Sequence, residues 1–122
     1  MTDVTTTVDT YLSAYNEADE GVRAILLEKS FTPDGRLIDP PLEGTGRDGI
    51  SAMMAAVHQQ FPGHAFRRST GIDAHHGYFR YGWELLDPSG AVVLAGTDVG
   101  ELDAGGQLVR VTGFFGPLPE LD

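Results

Sequence analysis

The chain has 122 residues, 18 Asp or Glu against 8 Lys or Arg, no cysteine and a single tryptophan; one domain spanning 1–122 is expected at this length. A net charge of −10 repels phosphate backbones and anionic lipid, so neither nucleic acid nor membrane is an expected partner. The lack of cysteine excludes disulfides, zinc–thiolate sites and thiol nucleophiles, and the start Met1-Thr2-Asp3 carries no signal-peptide pattern, which points to the cytoplasm.

Val4, Val8, Tyr11, Leu12 and Tyr15 recur at helical spacing and define one apolar face, with Thr2 or Asp3 as cap. Val22, Ile25 and Leu26 mark a second short amphipathic helix closing near Ser30. Thr32-Pro33-Asp34-Gly35 has turn chemistry, and Arg36 to Asp39 is a short strand stopped by Pro40-Pro41. Gly44 to Gly49 reads as a loop, and a third helix carries Ile50, Met53, Met54, Val57 and Phe61 until Pro62-Gly63 breaks it.

From there the period becomes two. Phe66 to Ala74 reads as one strand, and His75-His76-Gly77 as its turn. Phe79, Tyr81, Trp83 and Leu85 then alternate with Tyr78, Arg80, Gly82 and Glu84, the pattern of a half-buried strand. Asp87-Pro88-Ser89-Gly90 is a hairpin turn, Ala91 to about Leu102 the next strand, Asp103 to Gly106 another turn, and Leu108 to Phe115 the last strand. Three helices followed by a meander of four antiparallel strands predict an α+β fold with helices covering one face of a curved sheet.

Three local signatures follow this order: Tyr11-Leu12-Ser13-Ala14-Tyr15-Asn16 with Asp19; Asp39-Pro40 with Gly46-Arg47-Asp48-Gly49-Ile50; and Gly96-Thr97-Asp98, Gly105-Gly106 and Phe114-Phe115-Gly116. Together they resemble the NTF2-like superfamily, the cone-shaped α+β roll (cystatin-like) of SnoaL-like polyketide cyclases and ketosteroid isomerase. Within it, ketosteroid isomerase uses a tyrosine of the first helix, an aspartate before a proline and an aspartate of a late strand. Tyr11, Asp39 and Asp98 occupy those places. The resemblance implies a cofactor-independent isomerase or cyclase acting on an apolar, steroid- or polyketide-like carbonyl compound. It also implies a homodimer formed through the exposed sheet face, for which Tyr78, Arg80 and Glu84 are candidates. The alternative is a non-catalytic ligand-binding or dimerisation module on the same fold.

The residues support the same assignment on chemical grounds. Asp98 falls mid-strand among Gly96, Gly100 and Leu102, where poor solvation raises a carboxyl pKa and keeps the acid neutral. A neutral acid can donate a hydrogen bond to an oxyanion, a role described for ketosteroid isomerase. Tyr11 is the second donor and Asp39 the general base. Met54, Val57, His58, Tyr81, Trp83 and Phe115 are the expected substrate-binding residues. Adjacent His75 and His76 point to opposite faces, so no metal site is expected. Gly44-Thr45-Gly46 lacks the lysine of a phosphate loop, so no cofactor is implied. Arg67 and Arg68 are neighbours on a strand, and an ion pair with Glu84 is expected of one of them.

Overall fold

The computed structural model describes residues 3–122. Three helices, α1 (Val4–Asn16), α2 (Glu20–Ser30) and α3 (Gly46–Gln60), pack on a seven-stranded sheet. The strands are β1 (Phe31–Asp39), β2 (Leu42–Thr45), β3 (Ala65–Arg68), β4 (Asp73–His75), β5 (Tyr78–Leu86), β6 (Val92–Leu102) and β7 (Leu108–Phe115). Their order is β2-β1-β7-β6-β5-β3, with β4 also paired to β5. All pairs are antiparallel except β1 with β7, which is parallel. The α+β class and the helices-on-curved-sheet architecture read from the sequence are those observed. No helix among the described residues is long and apolar enough to cross a membrane.

Both first helices begin on aspartate caps, which satisfy a backbone N–H left unpaired at a helix start. The Asp3 carboxylate accepts from Thr6 N and that of Asp19 accepts from Val22 N. The α1 face is as the spacing predicts, with Val8, Tyr11, Leu12 and Tyr15 buried. The α2 face is not. Val22 and Ile25 are 44% and 53% exposed, while Arg23, Leu27 and Ser30 are buried. These three also share a helical face, but only Leu27 on it is apolar, so hydrophobic spacing does not mark it. The guanidinium is accommodated because its Nε donates to Ser51 Oγ at 2.9 Å and an Nη donates to the Glu17 carbonyl at 2.8 Å. Arg23 thereby ties the end of α1 to α3.

Other boundaries also differ. The expected turn at Thr32 to Gly35 is a register irregularity inside the longer strand β1. The expected loop at Gly44 to Gly49 is the end of β2 followed directly by α3. Pro40-Pro41 is the two-residue connection of a hairpin in which Asp39 pairs with Leu42. The single strand expected over Phe66 to Ala74 is split into β3 and β4, both paired to β5. Across β3 and β5, Arg67 donates to Glu84 at 2.9 Å, the ion pair read from the sequence, while Arg68 pairs with Asp9 of α1 at 2.7 Å.

The sheet buries Phe79, Tyr81, Trp83 and Leu85 of β5 against the helices. Two of these rings lie across glycines of β6: Trp83 is paired with Gly96 and Phe79 with Gly100. A Cβ at Gly96 would overlap the Phe114 carbonyl oxygen and stand 2.6 Å from the Trp83 ring, so no side chain fits there. With the Trp83 and Phe79 rings against these glycines, β6 presents Leu94 and Asp98 to a space between sheet and helices.

Candidate active site

That space is a cavity of about 220 Å³ bounded by α1, α3, the β1–β2 hairpin and the inner face of β5–β7. Its wall is mostly apolar, with Leu12, Val57, Phe61, Phe66, Leu94 and Phe115 among the lining residues. Tyr11, Tyr15, Asp39, Asp98 and Gln60 are its polar members, and no Lys, Arg or His lines it. Tyr11, Asp39 and Asp98, proposed from the sequence as one set, thus face a common space. They arrive from α1, from the end of β1 and from the middle of β6.

The two carboxyl groups meet above Gly113 of β7. A Cβ at that position would overlap Asp39 Oδ1 and lie 3.1 Å from Asp98 Oδ1. Asp98 pairs across the sheet with both Tyr81 and Gly113. The Tyr81 hydroxyl donates to Asp98 Oδ2 at 2.5 Å, and the Tyr15 hydroxyl donates to Asp39 Oδ2 at 3.0 Å. Each carboxyl group is therefore held at one oxygen by a tyrosine, and the other oxygen faces its counterpart over the glycine.

Burial and mutual repulsion set the protonation. Asp98 is 3% exposed, and its pKa is pushed up to about 8, first by burial and then by the Asp39 charge. The Tyr81 hydroxyl opposes the rise, as does the nearby Trp83 indole N–H, which finds no partner in hydrogen-bond geometry. Burial also raises Asp39, and the hydrogen bond from Tyr15 acts against it. The tyrosines are held far above their ordinary range, chiefly by burial and next by the neighbouring carboxylates. They stay protonated and act as donors only. The Tyr11 hydroxyl makes no hydrogen bond among the described residues and borders the cavity. At neutral pH the site thus presents one acid kept neutral, a free phenol, and a second carboxylate next to both.

The other sequence-proposed residues divide. Val57, Trp83 and Phe115 line the cavity. Met54 does not: it is fully buried in the core beneath α3. Tyr81 does not line it either; its ring is buried in the core and its hydroxyl donates to Asp98. His58 is turned away, with Nε2 2.7 Å from the Tyr15 carbonyl oxygen. Three participants were missed. Tyr15 had been placed only in the core, although it stands one helical turn beyond Tyr11 and so shares its face. Gln60 ends α3 at the cavity wall with no local motif. Gly113 could be found only from the register of three strands.

No protein-family model matches the chain, and neither does any curated protein. Solved structures do. A candidate isomerase of the SnoaL-like family from Agrobacterium tumefaciens aligns with 38% identity and a TM-score of 0.88, covering 96% of this chain and 100% of that one. A candidate SnoaL-like polyketide cyclase from Jannaschia sp. CCS1 aligns at 18% identity over 94% of this chain and 89% of its own, with a TM-score of 0.66. An NTF2-like protein of unknown function from Exiguobacterium sp. 255-15 aligns at 18% identity over 92% and 99%, with a TM-score of 0.72. The two distant structures share the fold; the identity and full coverage of the first place the chain in the SnoaL-like family.

Proposed function

We propose that the protein is a cofactor-independent acid–base catalyst that moves a proton at a carbon next to a carbonyl group. The observation that carries this reading is the pairing over Gly113 of a carboxylate with a carboxyl group kept neutral in one apolar cavity. Asp39 takes the proton from the carbon beside the carbonyl. The C–H electron pair becomes the enolate double bond, and the carbonyl π pair moves onto oxygen. Tyr11 and protonated Asp98 donate hydrogen bonds to that oxygen. Preorganised donors of this kind act where charge develops, and each is worth roughly 3–4 kcal/mol of barrier. Asp39 then returns its proton to the same carbon or to a conjugated one, and the second outcome is an isomerisation. Charge and atoms balance with no further reactant. Cyclisation uses the same enolate with an internal electrophile. The expected homodimer through the outer sheet face of Tyr78, Arg80 and Glu84 is part of this proposal too; Tyr78 is 52% exposed there.

The test is uptake of deuterium from heavy water beside the carbonyl of cyclohexanone, followed by proton NMR. The protein accelerates uptake, Asp39→Asn abolishes the acceleration, and Asp98→Ala lowers it by about a hundredfold or more. Equal uptake in Asp39→Asn and the unaltered protein removes Asp39 as the base and this reading with it.

A further inference from the structure

We infer that the substrate is a neutral, single-ring carbonyl compound of about nine non-hydrogen atoms, and that fused multi-ring and anionic compounds are refused. The inference rests on the proton-transfer reading and narrows it. A dry protein cavity of about 150 Å³ takes one benzene molecule. In the same proportion, 220 Å³ holds about nine non-hydrogen atoms. Pockets for drug-sized ligands start at about 300 Å³, and a fused four-ring skeleton has about seventeen carbons in its rings alone. The expectation of a steroid-like compound, drawn from resemblance, therefore runs against the volume.

The wall does not readily yield. Tyr15 packs on Phe66 with ring centroids 4.4 Å apart, Phe66 on Trp83 at 5.6 Å, and Trp83 on Phe115 at 5.7 Å. Close-packed aromatic rings transmit displacement rather than absorb it. Widening the cavity at Phe66 pushes on Tyr15, whose hydroxyl holds Asp39. A larger ligand that enlarges the pocket on this aromatic side would dislodge the base.

Charge narrows the class further. The cavity wall carries two carboxyl groups and no cation, and the chain as a whole carries −10. A ligand carboxylate entering the cavity would lie near Asp39 without a counter-charge in a medium of low dielectric, where like charges repel strongly. Neutral cyclic ketones and unsaturated lactones meet both limits. A free keto acid of the same size does not.

Trp83 is the only tryptophan and lines the cavity, so its fluorescence reports occupancy. The probes are phenols, whose oxygen stands in for the enolate oxygen: 4-ethylphenol, which matches the inferred size, 2-naphthol, a four-ring phenolic steroid, and 4-hydroxybenzoate. The expected result is saturable binding of 4-ethylphenol, with the four-ring phenol and 4-hydroxybenzoate each at least about tenfold weaker. The inference is overturned if the four-ring phenol binds as tightly as 4-ethylphenol, if 4-hydroxybenzoate does, or if 4-ethylphenol shows no saturable binding. Deuterium uptake separates this from the reading it rests on. Phenol selectivity without any catalysed uptake upholds the size and charge limits for binding and removes the acid–base reading. Uptake into a four-ring ketone as fast as into cyclohexanone upholds the acid–base reading and overturns the limits.

Discussion

Replacing Asp98 with asparagine should make the protein more stable at neutral pH, although it removes a residue assigned to the site. The side-chain amide is a close isostere of the neutral acid: its oxygen can accept from Tyr81 as Oδ2 now does, and its NH₂ takes the place facing Asp39. The magnitude follows from linkage. In the unfolded chain the Asp98 carboxyl ionises near its ordinary pKa of 3.8, while in the folded protein it keeps its proton to about 8. A raised folded pKa gives stability that is fully present below the unfolded pKa and is lost as pH rises toward the folded one. Each pKa unit between the two states is worth about 1.4 kcal/mol. Between pH 4 and 7 the unaltered protein therefore loses on the order of 4 kcal/mol through this group alone. Above about pH 8 the loss levels off. The assay is urea unfolding read by Trp83 fluorescence across this range for both proteins. The difference in unfolding free energy, variant minus unaltered, should grow with pH and flatten near 8. A constant difference, or a variant less stable at neutral pH, would refute a neutral Asp98. Carboxylates remote from the site contribute equally to both proteins and cancel; Asp39, whose charge acts on Asp98, does not.

Gly113→Ala should fold, because the atom its methyl group meets is the far end of a flexible side chain, Asp39 Oδ1; deuterium uptake should fall by about a hundredfold as the base is displaced, and unchanged uptake would separate Gly113 from the site. Leu27→Ala, at a fully buried position, should cost about 3 kcal/mol in urea unfolding. Ile25→Ala, at a position 53% exposed, should cost no more than about 0.5 kcal/mol. The reverse order would restore the apolar face first read for α2.

What could be read in advance follows the strength of the local pattern. Alternation in β5 is strict over Phe79, Tyr81, Trp83 and Leu85, because one face of that strand is turned to the interior along its whole length. Period alone suffices there. It failed for α2, whose inward residues are Arg23, Leu27 and Ser30. A buried guanidinium depends on partners contributed by Glu17 and Ser51, and no local pattern carries partners from other elements. Tyr11, Asp39 and Asp98 were legible as site candidates because each is unusual where it stands or matches a family position. Their holders were not. Tyr81 pairs with Asp98 through the β5–β6 register, and that register shifts at Leu85 and Leu86, so counting back from the turn misplaces the partner. Met54 and His58 were misread for a related reason. Helical spacing puts both near the inward face of α3, but only the packing of α1 decides that one meets core and the other the Tyr15 carbonyl.

Two carboxyl groups over one glycine cannot both be charged cheaply, so the wall must decide which one ionises first. Hydrogen bonding does not decide it, since each group accepts from one tyrosine. Position does. Asp98 sits in the middle of β6, paired on both sides, where water is excluded and the backbone cannot shift. Asp39 ends β1 at a two-residue turn whose prolines are exposed and also border the cavity. The carboxyl nearer the mouth gives up its proton first, and its charge then raises the other. In the proposed reaction, base and acid follow from depth in one cavity, and each role depends on the other. Neutralising Asp39 lets Asp98 ionise at lower pH, while burial, the larger cause, still holds its pKa up. Among the acidic residues that give the chain its large negative charge, Asp98 is raised to about 8, and it is the one whose protonation the proposed chemistry requires.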